Sequence, residues 1–174
     1  FTRHFYKTVA PWTTENPIFM HLTTIDEQTV KRAVDQCVET GYEMIILSFG
    51  SGMDAETSDE THIAYIKSLV DYAKSKGIEM GGYSLLASRW ISEDVDVINP
   101  VTGKRGGAKF GSSPCLCSQW GVDYLAKIKN FYEKTGLTLF EHDGSYPGDV
   151  CASTKHAYHK GLNDSQWKQF ERIT

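Results

Sequence analysis

Glu141, His142 and Asp143 stand in a row where the apolar stretch LTLF gives way to the polar, glycine-containing GSYPGDVC. An ionised Asp on a rigid strand end can attack an anomeric carbon in a two-carboxylate displacement. The same Asp can instead cap the turn at Gly144. Alternation along a strand puts Glu141 on the face of Asp143 and His142 on the opposite one. Glu141 would then bind hydroxyls, raise the pKa of Asp143 by like-charge repulsion, or pair with a cation such as Arg89. His142 is expected to pack between sheet and helix.

Other residues of the right type lie in neighbouring loops. Asp149 follows Tyr146 and Pro147, which stiffen the chain, and Gly148, which permits a tight turn. Arg89 and Trp90 follow the third strand, where they offer a hydrogen-bonding fork and a stacking face. Trp12, before the first strand, reads as a core plug or a sugar platform. His21 ends the first strand. The expected substrate-binding set is Glu141, Asp149, Arg89, Trp90, Tyr146, Trp12 and His21.

His156 and His159 suggest a metal site with Asp143 or Asp149. No third ligand is spaced to complete a set, and Cys115-x-Cys117 has no second Cys or His pair at zinc-finger spacing. Neither metal nor cofactor is therefore expected. Cys37 reads as a small core residue, and the loop cysteines leave open a disulfide from Cys151 to Cys115 or Cys117, which spacing alone does not establish. No Gly-x-Ser-x-Gly elbow is present.

The elements that must position these residues repeat one pattern. The strand IFMHL is followed by a helix with Val30, Ala33, Val34, Cys37 and Val38 on one face. Thr24 and Glu27 are spaced as a capping box, and Gly41 supplies the stop. The strand YEMIILSF precedes a second helix from Asp59 to Lys76. The strand IEMGGYSLL leads into a loop from Ala87 to Ser118, about 30 residues where roughly 4–6 are usual. A third helix carries Trp120, Tyr124, Leu125, Ile128, Phe131 and Tyr132. The strand LTLFEH follows. A fourth helix begins near Asn163, with Gln166 in capping-box position and Trp167, Phe170 and Ile173 as its apolar stripe.

Four strand–helix units predict an α/β protein with a parallel sheet. A doubly wound sheet and the N-terminal half of a (β/α)8 TIM-type barrel compete. Short loops after helices and long loops after strands three and four favour the barrel, whose sites sit on the loops after strands. No Gly-x-Gly-x-x-Gly follows the first strand, so a dinucleotide site is disfavoured. The 174 residues are expected to form one partial barrel domain. A net charge of −4 without a basic block argues against nucleic acid as main partner. No apolar run has the length of a membrane span. Phe1 in place of Met, and a terminal NDSQWKQFERIT that reads as an interrupted helix, suggest a piece of a longer chain.

SKGIEMGGYS resembles the third-strand entry of the α-galactosidase-like (melibiase-type) retaining glycoside hydrolases, where Lys-Gly precedes a strand ending in a Tyr-Ser type pair. The resemblance runs from Ile18 to Cys151. It implies an Asp nucleophile at the end of strand four, the position of Asp143. It also implies a cysteine soon after the nucleophile, often bridged to the loop after strand three, an arrangement matched by Cys151 with Cys115 or Cys117. SFGSG replaces the family's sugar-binding Asp pair after strand two, and Glu141 replaces a Lys two residues before the nucleophile. WGVDYL resembles the family's nucleophile strand but lies in the third helix. The acid/base carboxylate of the family comes from strand six, outside these residues.

A carbohydrate substrate and self-association of the half barrel are thus expected. A non-catalytic carbohydrate-binding half barrel is the rival reading. A metal-dependent hydrolase using Asp143, Asp149, His156 and His159 is the third.

Overall fold

The computed structural model describes residues 17–107, 111–143 and 148–174, together with 5, 8 and 9. Trp12 and Tyr146 lie outside the described residues. The elements are β1 (Phe19–Leu22), α1 (Glu27–Thr40), β2 (Met44–Leu47), α2 (Glu60–Ser75), β3 (Glu79–Ser84), α3 (Gln119–Thr135), β4 (Leu139–His142) and α4 (Leu162–Ile173).

All four strands are parallel, in the order β1-β2-β3-β4. Each strand pairs with the next in sequence, as in a β/α barrel. A doubly wound sheet would reverse direction at a switch point. The register places Met20, Leu22, Ile45, Leu47, Met80 and Phe140 on one face, in the main core with the apolar stripes of α1, α2 and α3. His21, Ile46, Gly81 and Leu139 align across the other face, with Tyr83 and Glu141 one pleat further along. The central strand β2 is buried along its whole length, as its unbroken apolar run requires.

Helix ends follow local chemistry. Gly41 and Gly136 close α1 and α3 at φ 80° and 82°, the left-handed conformation that costs glycine least. The N-cap of α1 is Asp26, which accepts from Thr29 N at 2.9 Å. Thr24, spaced as one half of a capping box, instead accepts from Asp26 N at 3.0 Å and shapes the turn before the helix.

The expected inward stripe of α4 holds at Ile173, which packs against the main core, and fails at Trp167. Trp167 is 61% exposed, while Ser165 and Gln169 are buried. Both polar residues satisfy loop backbone that would otherwise be orphaned. Ser165 Oγ accepts from Cys151 N at 3.0 Å. Gln169 donates to the Asp149 carbonyl at 2.9 Å and accepts from Leu116 N at 3.3 Å. Helix α4 thereby joins the loop after β3 to the loop after β4.

Candidate active site

The face of the sheet opposite the helices is concave. Three strand spacings would separate β1 from β4 by roughly 14 Å in a flat sheet. Yet His21 Nε2 on β1 meets Glu141 Oε1 on β4 at 2.8 Å, the carboxylate accepting. Side chains stand nearly perpendicular to a sheet, so this bond closes only because the sheet curls. Gly81 helps to make the curl. A Cβ at this position would come within 3.0 Å of Leu139 Cβ and 3.1 Å of its carbonyl oxygen. The bare backbone lets β4 approach β3.

Tyr83 and Asp143 complete the mouth at the C-terminal ends of β3 and β4. The Tyr83 hydroxyl hydrogen-bonds to the Asp143 carboxylate. Burial, the Asp143 charge and that hydrogen bond push the hydroxyl up to about 12, with a smaller contribution from Glu141. Tyr83 therefore stays protonated at neutral pH and remains a donor to Asp143. Asp143 Oδ1 and Glu141 Oε2 are buried and have no hydrogen-bond partner among the described residues. Acceptors of this kind favour a ligand rich in hydroxyl donors. Phe49, directly after β2, is 64% exposed and packs edge-on against Tyr83, with ring centroids 5.7 Å apart. A groove of about 300 Å³ runs past it between the loops after β2 and β3.

Tyr83 and Phe49 are the residues that reading the sequence overlooks. Tyr83 enters that reading only as half of a Tyr-Ser pair, although strand parity puts it on the face of Glu141. Phe49 lies in the SFGSG that replaces a carboxylate pair, and its signal is an aromatic at a strand's C-terminal end.

The other candidates lie elsewhere. Arg89 turns to Glu56 at 2.6 Å and to the Leu85 carbonyl at 2.8 Å, and its guanidinium lies 5.2 Å from the Trp120 ring centroid. It braces the loops after β2 and β3 against α3, and Glu141 pairs with His21 instead. Trp90 is exposed, with the Arg105 guanidinium 3.8 Å from its ring centroid. Asp149 is held through its carbonyl by Gln169. His142 packs on Phe140 at 5.5 Å on the helix side of the sheet. It also lines, with Asp143 and Gln169, a cavity of about 20 Å³, room for about one water.

All four cysteines are free thiols, so the bridge implied by the resemblance is not formed. Cys151 does lie beside Cys115, as the meeting of the two long loops requires. His156 and His159 join those two sulfurs rather than Asp143 or Asp149.

No family model and no curated protein sequence matches this chain. Several solved structures are similar in fold. The GH31 dextranase FjDex31A of Flavobacterium johnsoniae, complexed with glucose, matches 90% of this chain and 22% of its own, with TM-score 0.56 and 14% identity. The α-N-acetylgalactosaminidase NagBb of Bifidobacterium bifidum, as its GalNAc complex, matches 87% of this chain and 27% of its own, with TM-score 0.52 and 18% identity. Trehalose-6-phosphate hydrolase TreA of Bacillus licheniformis matches 74% and 35%, with TM-score 0.51 and 13% identity. This chain thus spans between 22% and 35% of the lengths of these three structures. At such identities the likeness is one of fold.

Proposed function

We propose that this chain is the N-terminal half of a β/α-barrel glycoside hydrolase of the α-galactosidase-like kind, retaining, with Asp143 as nucleophile. The observation that carries the reading is the convergence of Tyr83, Asp143, Glu141 and His21 on the concave face at one mouth. The names of the fold neighbours add to it, since they are glycosidases of several specificities. The Asp143 carboxylate attacks the anomeric carbon, and the glycosidic bond breaks as its oxygen takes a proton from an acid outside these residues. Water then releases the sugar from Asp143. Tyr83 orients the nucleophile through its hydroxyl. Glu141, held by His21, accepts from a sugar hydroxyl deeper in the barrel, and Phe49 offers an apolar ring face at the rim.

A fluoro-glycoside trap tests this directly. Its fluoride leaving group needs no general acid, so the chain itself serves. The expected result is a glycosyl adduct on the peptide containing Asp143. Labelling of Glu141 instead, or no adduct across a panel of α-glycosyl fluorides, would refute the assignment. A non-catalytic carbohydrate-binding half barrel would give that second outcome.

The same reading leaves β1 and β4 as open edges, with Ile18 and Phe19 exposed beside the first. Unpaired edges and apolar patches are association sites. The 174-residue chain is therefore expected to self-associate. Light scattering that shows a clean monomer at micromolar concentration contradicts it.

A further inference from the structure

Four metal-ligating side chains meet where the two long loops touch. Cys115 comes from the loop after β3. Cys151, His156 and His159 come from the loop after β4. One ligand atom from each lies within 4.8 Å of all the others, and all four residues are buried. Val97 and Cys117, both buried, pack in the same cluster as the two sulfurs.

Burying so many polar atoms is costly unless each finds a partner. His159 finds none. It is 7% exposed, and neither of its ring nitrogens has a hydrogen-bond partner among the described residues. His156 is already oriented. Its Nε2 donates to the Asp94 carbonyl at 3.0 Å, which leaves the Nδ1 lone pair facing Cys151 Sγ at 3.5 Å. Metal-bound histidines are held in this way, one nitrogen on the ion and the other N–H on a backbone carbonyl. The sulfurs also have the backbone donors that thiolates need. Ile98 N–H reaches Cys151 Sγ at 3.5 Å, and Cys117 N–H serves Cys115.

We propose that Cys115, Cys151, His156 and His159 form a closed, tetrahedral zinc site. Two thiolates with two imidazoles match zinc, whereas magnesium and calcium take oxygen donors. Zn–S and Zn–N bonds of about 2.3 and 2.0 Å set sulfur and nitrogen ligands about 3.5 Å apart in a tetrahedron. Cys151 and His156 already show 3.5 Å. A disulfide between Cys115 and Cys151 fits less well, because it would leave His159 buried and unpaired. With four protein ligands no position remains for water, so the ion is structural. It pins the loop after β3 to the loop that begins at Asp143. The proposed zinc site departs from the expectation of no metal. Cys151 shares a loop with both histidines, but Cys115 comes from the other loop, where no spacing rule places it.

The test uses the whole 174-residue chain. Purified without chelator from zinc-supplemented cells, it should carry about one zinc per chain. The reduced, metal-free chain titrated with Co²⁺ should give the strong visible bands of a tetrahedral site, with thiolate charge-transfer absorption in the near ultraviolet. Added Zn²⁺ should bleach both. Cys151→Ser and His159→Ala should each weaken metal binding by about 100-fold or more, whereas Cys37→Ala should not. If those variants fail to fold, the wild-type cobalt spectrum alone decides. Weak octahedral-type bands, no cobalt uptake, or a Cys115–Cys151 disulfide as the resting form of the purified chain would each overturn the proposal.

Discussion

Asp143→Asn should lower turnover by at least about three orders of magnitude in the full-length protein, while leaving the fold intact. The amide has the shape of the carboxylate and can still accept from the Tyr83 hydroxyl, so the mouth keeps its geometry. What it loses is the charge that, in the proposed mechanism, attacks the anomeric carbon. Steady-state kinetics with an activated aryl α-glycoside measures the loss, and circular dichroism checks the fold. A purely structural role for Asp143 would also lower activity, so a second readout is needed. Azide should restore turnover to Asp143→Ala and yield a glycosyl azide of inverted configuration. Near-wild-type turnover of Asp143→Asn on the correct substrate would remove Asp143 from the chemistry.

Gly121→Ala should destabilise the chain by about 3 kcal/mol, against the sign that helix propensity predicts. Gly121 lies in the first turn of α3, where alanine is ordinarily better by about 1 kcal/mol. A Cβ there would lie 2.5 Å from both Cα and the carbonyl carbon of Leu116, and it would also strike the Leu116 oxygen. These are backbone atoms, so no rotamer relieves the overlap. Either α3 shifts or the Leu116 segment does. That segment donates from Leu116 N to Gln169 and carries Cys115 and Cys117 on either side. Urea unfolding should show a lower midpoint with an unchanged slope. An unchanged or raised midpoint would mean that the segment yields easily.

Much of the fold is legible in the sequence because its signals are local. The 3.6-residue stripes of α1 to α3, the unbroken apolar run of β2, and the stops at Gly41 and Gly136 each lie within a few residues of their effect. The misreadings arise where a second partner is remote. Trp167 looks like an inward residue of α4 until Ser165 and Gln169 are seen to take loop backbone. Arg89 looks available to Glu141 until Glu56 is seen beside it. Strand parity brings Glu141 and Asp143 to one face, but the contact between His21 and Glu141 depends on curvature. No pattern within a single strand encodes that curvature. The cluster of Cys115, Cys151, His156 and His159 depends on two long loops meeting, which is remote in the same sense.

The hydrogen bond from His21 to Glu141 also bears on the order in which the chain folds. Its partners are 120 residues apart, while each strand pairs with its immediate successor. The pairings can therefore form stepwise, each closing a modest loop. The link between the first and last strands has no geometry until β2 and β3 are in place between them. It belongs to the final consolidation of the sheet, after the rate-limiting barrier, with a φ-value near zero. Loss of the His21 imidazole should then leave the refolding rate nearly unchanged and appear almost wholly as faster unfolding. The bond acts as a kinetic latch on a sheet that has already assembled.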